Sequence, residues 1–228
     1  WSMKSVIREL VHTRTYQLSA SFDESAHAVD PENVLHWRRT PRRMDAEALR
    51  DAMLVVSGQL DSERPLGSRV AELGDASFGR RVSSDAVNRP ADYRSVYLPV
   101  IRDAVPESLA LFDAADTNRV TGTREITNVP GQALYMMNNP FVIAQSEAFA
   151  RRLMQEKGLP RDRFSQAYTI AFGRPITKRE LTEASQYFRE FVGEAMDESK
   201  RSRRQAALLA LTTFCQSLLA SAEFRYVN

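Results

Sequence analysis

The chain has 228 residues, 43% hydrophobic and 26% charged, enough to bury roughly 70% of its unfolded surface and fold without metal or disulfide staples. One cysteine, Cys215, excludes an internal disulfide, a paired-cysteine zinc site and covalent haem attachment. With 31 basic and 29 acidic residues the net charge is +2, too balanced for the bulk attraction that drives nucleic-acid binding, and no apolar run reaches the ~20 residues that span a bilayer.

Only four of the basic residues are lysine. Arginine's planar fork suits carboxylates, sulfates and phosphates, but a GC-rich genome gives the same bias and is the favoured explanation. The opening Trp1-Ser2-Met3 already reads as helix, so the chain is read as part of a longer protein. The absence of a signal peptide therefore says nothing about the parent.

Helical periodicity is strong at both ends and weak in the middle. Val6, Leu10, Val11 and Leu18 predict an opening helix. A second starts at the N-cap residue Asp45, puts Leu49, Met53, Val56 and Leu60 on one face, and stops or bends at Gly58. Between Asp61 and Pro90 the pattern gives way to Pro65, Gly67, Gly74 and Gly79 among charged and polar residues, which predicts a loop long enough to be functional or poorly ordered. Arg94 to Val100 reads as a short extended piece confined by Pro99. A short turn over Ser108 to Phe112 follows.

From Pro130 the helical signal returns. Asn128 and Asn139 are expected N-caps, with Pro140 at the first helical position, Gly158 closing that helix and Pro160 opening the next. Phe164, Ala167, Tyr168 and Ala171 form one face that Gly173 ends. Thr177 with Glu180 makes a capping box and Ile176 with Leu181 a hydrophobic staple, starting a helix that runs to about Met196 before a charged turn. The last helix, about Arg204 to Ala220, is apolar around most of its circumference and should be buried. The expected fold is a single, mainly α domain: residues 1–60 helical, 61–129 loop-rich with at most a short extended piece, and 130–228 a helical bundle. Phe164, Tyr168, Phe188, Phe191, Leu211, Phe214 and Leu218 should share its core.

Catalytic patterns are missing. His12, His27 and His36 share no helix-face spacing, and no HExxH, GxSxG, P-loop or GxGxxG occurs. An EF-hand counted from Asp116 fits Asn118 but fails at Val120, Gly122 and Thr127. Cys215, among leucines, is expected to be an inert packing group with a raised pKa. No catalytic residue, metal site or cofactor is therefore expected.

Two clusters remain. Trp37, Arg38, Arg43 and Arg50 surround a helix N-terminus, where guanidinium forks, an indole and backbone N–H groups can hold an anion. The competing reading, which is favoured, is structural: Arg43 reaches Glu47, Glu47 faces Arg50, and Arg43 and Arg50 bond carboxylates such as Asp51, Asp113 or Asp116 and carbonyls of the irregular middle. The second cluster holds Asp113, Asp116, Arg124, Gln132 and Asn138. Turn formation and capping are favoured there, with Gln132 and Asn138 as alternative pocket-lining groups.

The segments "NVLHWRRTPRRMDAEALRDAMLVVSGQLD", "RSVYLPVIRD", "LALFDAADTNR", "REITNVPGQALYMMNNPFV", "AYTIAFGRPIT" and "SAEFRYVN" resemble the planctomycete-specific C-terminal domain of unknown function that follows planctomycete cytochrome-c-like and companion domains. The resemblance spans nearly the whole chain, is best over residues 37–51 and 112–141, and is weak over 61–90. It implies an extracytoplasmic multidomain parent whose haem, if any, lies in another domain, and it transfers no functional residue. The reading at this point is a non-enzymatic docking or scaffolding module whose partners are other domains of the same parent chain or a separate protein. The alternative is an anionic, sulfated polysaccharide-binding or polysaccharide-processing unit using Arg38 to Arg50. Nucleic acid and membrane insertion are not expected.

Overall fold

A computed structural model describes residues 2–68, 71, 87–101, 104–120, 122–155, 159–199 and 201–227. They are mostly helical, as the periodicity predicts, and form two compact units, Trp1–Met44 with Tyr226–Asn228, and Asp45–Arg225.

In the first unit α1 spans Met3–Val11, with the Ser2 hydroxyl accepting the Ser5 N–H. The helix stops short of Leu18, which the sequence had placed on its apolar face. Thr13 donates its hydroxyl to the Leu10 carbonyl at 2.8 Å and accepts the Tyr16 N–H, a side chain competing with the helical ladder. α2, Glu24–Val29, is capped by Asp23 through the Ala26 N–H at 2.8 Å. β1, Arg42–Arg43, pairs antiparallel with β2, Tyr226–Val227, with Arg43 opposite Tyr226.

The second unit opens with α3, Ala46–Ser57, which follows Asp45 and ends at Gly58, whose φ of +76° explains the glycine. Its buried face, Leu49, Met53, Leu54 and Val56, packs on α6, Pro140–Gln155, and α6 packs against α9, Arg203–Ala220. Short helices α4, Glu107–Ala110, and α5, Pro130–Asn138, precede α6; α7, Pro160–Phe172, and α8, Lys178–Ser199, precede α9, and α10, Ala222–Arg225, ends the unit. Phe149, Leu153, Phe164, Leu211 and Leu219 are fully enclosed. The Phe164 ring meets Phe188 at 5.7 Å and Phe214 at 5.0 Å, but of the expected core members Tyr168, Phe188 and Phe191 are only half-buried, and Phe191 meets Tyr187.

Several local expectations are corrected. Arg94 to Val100 is not extended: Ser95–Tyr97 forms a 3-10 turn, because Asp51 on α3 accepts both the Ser95 N–H at 2.7 Å and its hydroxyl at 2.6 Å. Val129, not Asn128, precedes α5; its first residue, Pro130, has no N–H to cap. α8 continues past Met196 to Ser199. The closing Gly158, and residues 69–70 and 72–86 of the expected central loop, lie outside the described residues.

The capping box at α8 is present, with the Thr177 N–H reaching Glu180 at 2.8 Å and the Glu180 N–H reaching Thr177 Oγ1 at 3.3 Å. Arg174 clamps the same Glu180 at 2.7 Å and Glu223 of α10 at 2.5 Å, and these hydrogen bonds hold the Glu180 carboxyl down at about 2. A depressed carboxyl contributes stability above its unfolded pKa and loses it as pH falls through the folded value. Glu180→Gln should therefore melt lower than wild type at neutral pH, with the difference shrinking from about pH 4.5 and vanishing near pH 2. Thermal melts of both proteins across that range check this, and a pH-independent difference would refute it.

Candidate functional site

The first arginine cluster is divided between the two units. In the first, the Arg38 guanidinium lies 4.9 Å from the Trp37 ring centre and 5.3 Å from that of Phe22. Trp37 also meets Phe22 edge-on at 5.9 Å and donates Nε1–H to the Asp30 carbonyl at 2.9 Å. The pair thus organises the 30–38 turn, where Asp30 accepts the Val34 and Leu35 N–H groups. Arg43 is buried within β1.

Arg50 belongs to the second unit, on α3, and is only 5% exposed. Its Nη1 donates to the Tyr93 carbonyl at 3.0 Å and to Ser95 Oγ at 3.1 Å, and Nη2 donates to the Ala91 carbonyl. Asp51 lies 3.7 Å away and takes its own hydrogen bonds from Ser95. The chain Arg50 to Ser95 to Asp51 fastens the irregular 91–97 segment to α3, the carbonyl-satisfying role expected for this arginine. Within the second unit, Glu47 does not pair with Arg50 as its spacing implied. It forms a bidentate pair with Arg124, 77 residues away, at 2.6 and 3.0 Å.

The second cluster is bonded mainly through its own turns, although Arg124 pairs with Glu47 and, among the described residues, the buried Gln132 Oε1 has no hydrogen-bond partner. Asp113, at φ +62°, accepts the Thr127 N–H at 2.9 Å and hydroxyl at 2.8 Å, while Asp116 accepts the Asn118 N–H and pairs with Arg119. Gln132 is buried and donates to the Leu111 carbonyl at 3.0 Å and to Thr127. Asn138 is exposed and bonds Leu134 on its own helix, apart from the buried Gln132. A hollow of about 400 Å³ lies among Asp113, Asp116, Arg119 and Arg124. Among the described residues no three His, Cys, Asp or Glu side chains are grouped to hold a metal.

Sequence reasoning missed a cleft of about 630 Å³ floored by Arg50 and walled by residues 87–92, 106–108 and the α5–α6 junction. This volume suits a small organic ligand. Phe141 lies 5.3 Å from the Arg50 guanidinium. Burial, with the nearby Glu107 charge, pushes the Tyr135 phenol up to about 12, only partly offset by Ser108, so the phenol stays protonated at neutral pH. Gln145 accepts the Ser57 hydroxyl at 2.7 Å and joins α6 to α3. One sequence signal was available: Gln145 and Ser146 occupy the inward i, i+3, i+4 positions of α6 with Val142 and Phe149, where a polar residue needs an internal partner or a cavity. Cys215 is fully buried, and desolvation pushes its thiol up, as expected of a packing residue.

Residues 1–188 match the model of a family described as "PSD1: Protein of unknown function (DUF1553)". No curated protein and no solved structure matches.

Proposed function

The chain belongs to this DUF1553 family, and from that premise we propose that it acts without catalysis of its own, as a helical docking module at the C-terminus of a larger exported planctomycete protein. The observation that supports this reading is α1. Its nine residues bury nothing, and Met3, Val6, Ile7 and Leu10, at i, i+3, i+4 and i+7, are each at least 48% exposed. A solvated helix this short is marginal on its own, and a continuous apolar stripe is the usual mark of a contact face. The proposed occupant is another domain of the same parent polypeptide, such as a cytochrome-c-like domain that would carry any haem outside this chain. The sulfated-polysaccharide reading draws less support, because Arg38 is held between aromatic rings and Arg50 is buried against carbonyls.

Val6→Asp combined with Leu10→Asp tests the docking face. The double variant of this chain should melt within a few degrees of wild type, since exposed substitutions cost little. In the full-length parent the same pair should speed limited proteolysis after α1. Unchanged proteolysis there would refute the docking face.

A further inference from the structure

Arg50 uses three of its five guanidinium N–H groups on Ala91, Tyr93 and Ser95. Among the described residues, its Nε–H and one Nη2 N–H have no protein partner. Two amides lining the same cleft are also committed on one side only. The Gln145 oxygen accepts the Ser57 hydroxyl at 2.7 Å and the Asn139 oxygen accepts the Phe141 N–H at 2.9 Å. Among the described residues both amide NH2 groups are unpaired. A buried cation and two amides whose acceptors are already used make a wall of donors, beside apolar surface from Phe141, Leu98 and Pro140. We propose that this cleft binds a small organic monocarboxylate with an apolar body, its carboxylate held by Arg50, Gln145 and Asn139.

Charge balance sets the class of anion. Arg50 and Arg89 line the cleft together with Asp92 and Glu107, and Asp51 stands 3.7 Å from Arg50 outside the lining, so the site carries no excess of positive charge. Such a site accommodates one added negative charge and disfavours a phosphate, a sulfate or a polyanion, because like charges brought together out of water repel strongly. Phe141 and the protonated Tyr135 present apolar ring surface to the ligand body.

The test is calorimetric titration of the full chain with hydrocinnamate, butyrate, hydrocinnamamide and inorganic sulfate. Hydrocinnamate should bind saturably and at least about tenfold more tightly than its amide, the difference made by a charge-assisted hydrogen bond, and sulfate should not bind. Arg50→Lys should weaken binding but also loosens the fold. Asn139→Asp is therefore the decisive variant: it keeps the acceptor for the Phe141 N–H, and so the α6 cap, while replacing a donor by a negative charge. Its melting temperature should be unchanged and its affinity for hydrocinnamate should fall at least about tenfold. Failure of both carboxylates to bind, equal binding of the amide, or full affinity in Asn139→Asp would overturn the proposal.

Discussion

Arg50→Ala is expected to destabilise the second unit by about 3 to 5 kcal/mol, the usual cost of removing one member of a buried charged network. The substitution deprives the Ala91 and Tyr93 carbonyls and Ser95 Oγ of their shared donor. It also leaves Asp51 bonded only through Ser95, and each stranded buried acceptor costs about 1 to 3 kcal/mol. Arg50→Lys keeps the charge but loses the fork that reaches three acceptors at once, so it should fall between alanine and wild type. Urea denaturation of the three proteins gives the ordering. An alanine midpoint equal to wild type would mean that the 91–97 segment does not depend on α3.

Phe214→Ala should cost a similar amount, about 3 to 5 kcal/mol, through lost burial and the cavity left behind. Phe214 is buried on α9, with its ring 5.0 Å from Phe164 and 6.5 Å from Tyr168 on α7. Neighbouring aromatic rings relax poorly into such a void, so little of the cost should be recovered. The same urea titration measures it. Phe214→Leu should retain at least half of the lost stability, and equal midpoints for alanine and wild type would contradict the assigned core.

What was legible in the sequence is what is decided within a few residues. Gly58 and Gly173 end helices with φ of +76° and +68°, Thr177 and Glu180 cap one another, and the all-round apolar α9 is central. Side-chain partners set by tertiary approach were not legible. Arg50 finds acceptors 41 to 45 residues away and Glu47 finds Arg124 at a separation of 77, whereas helix spacing pointed to near neighbours. The 3-10 turn at Ser95 failed for the same reason, since Asp51 reshapes it from outside its own segment. The cleft is assembled from α3, the 87–92 stretch and the α5–α6 junction, pieces that no sequence window contains together. Only the inward-facing Gln145 hinted at it.

The proposed docking role rests most directly on whether the apolar stripe of α1 is covered in the longer parent that the proposal requires. Amide hydrogen exchange over residues 3–11, compared between this chain and the full-length parent under identical conditions, measures that cover. The account predicts fast exchange in the chain alone, as for a short helix with no buried residue, and at least about tenfold slower exchange in the parent, slowing that Val6→Asp with Leu10→Asp abolishes. Equally fast exchange in both proteins would contradict it.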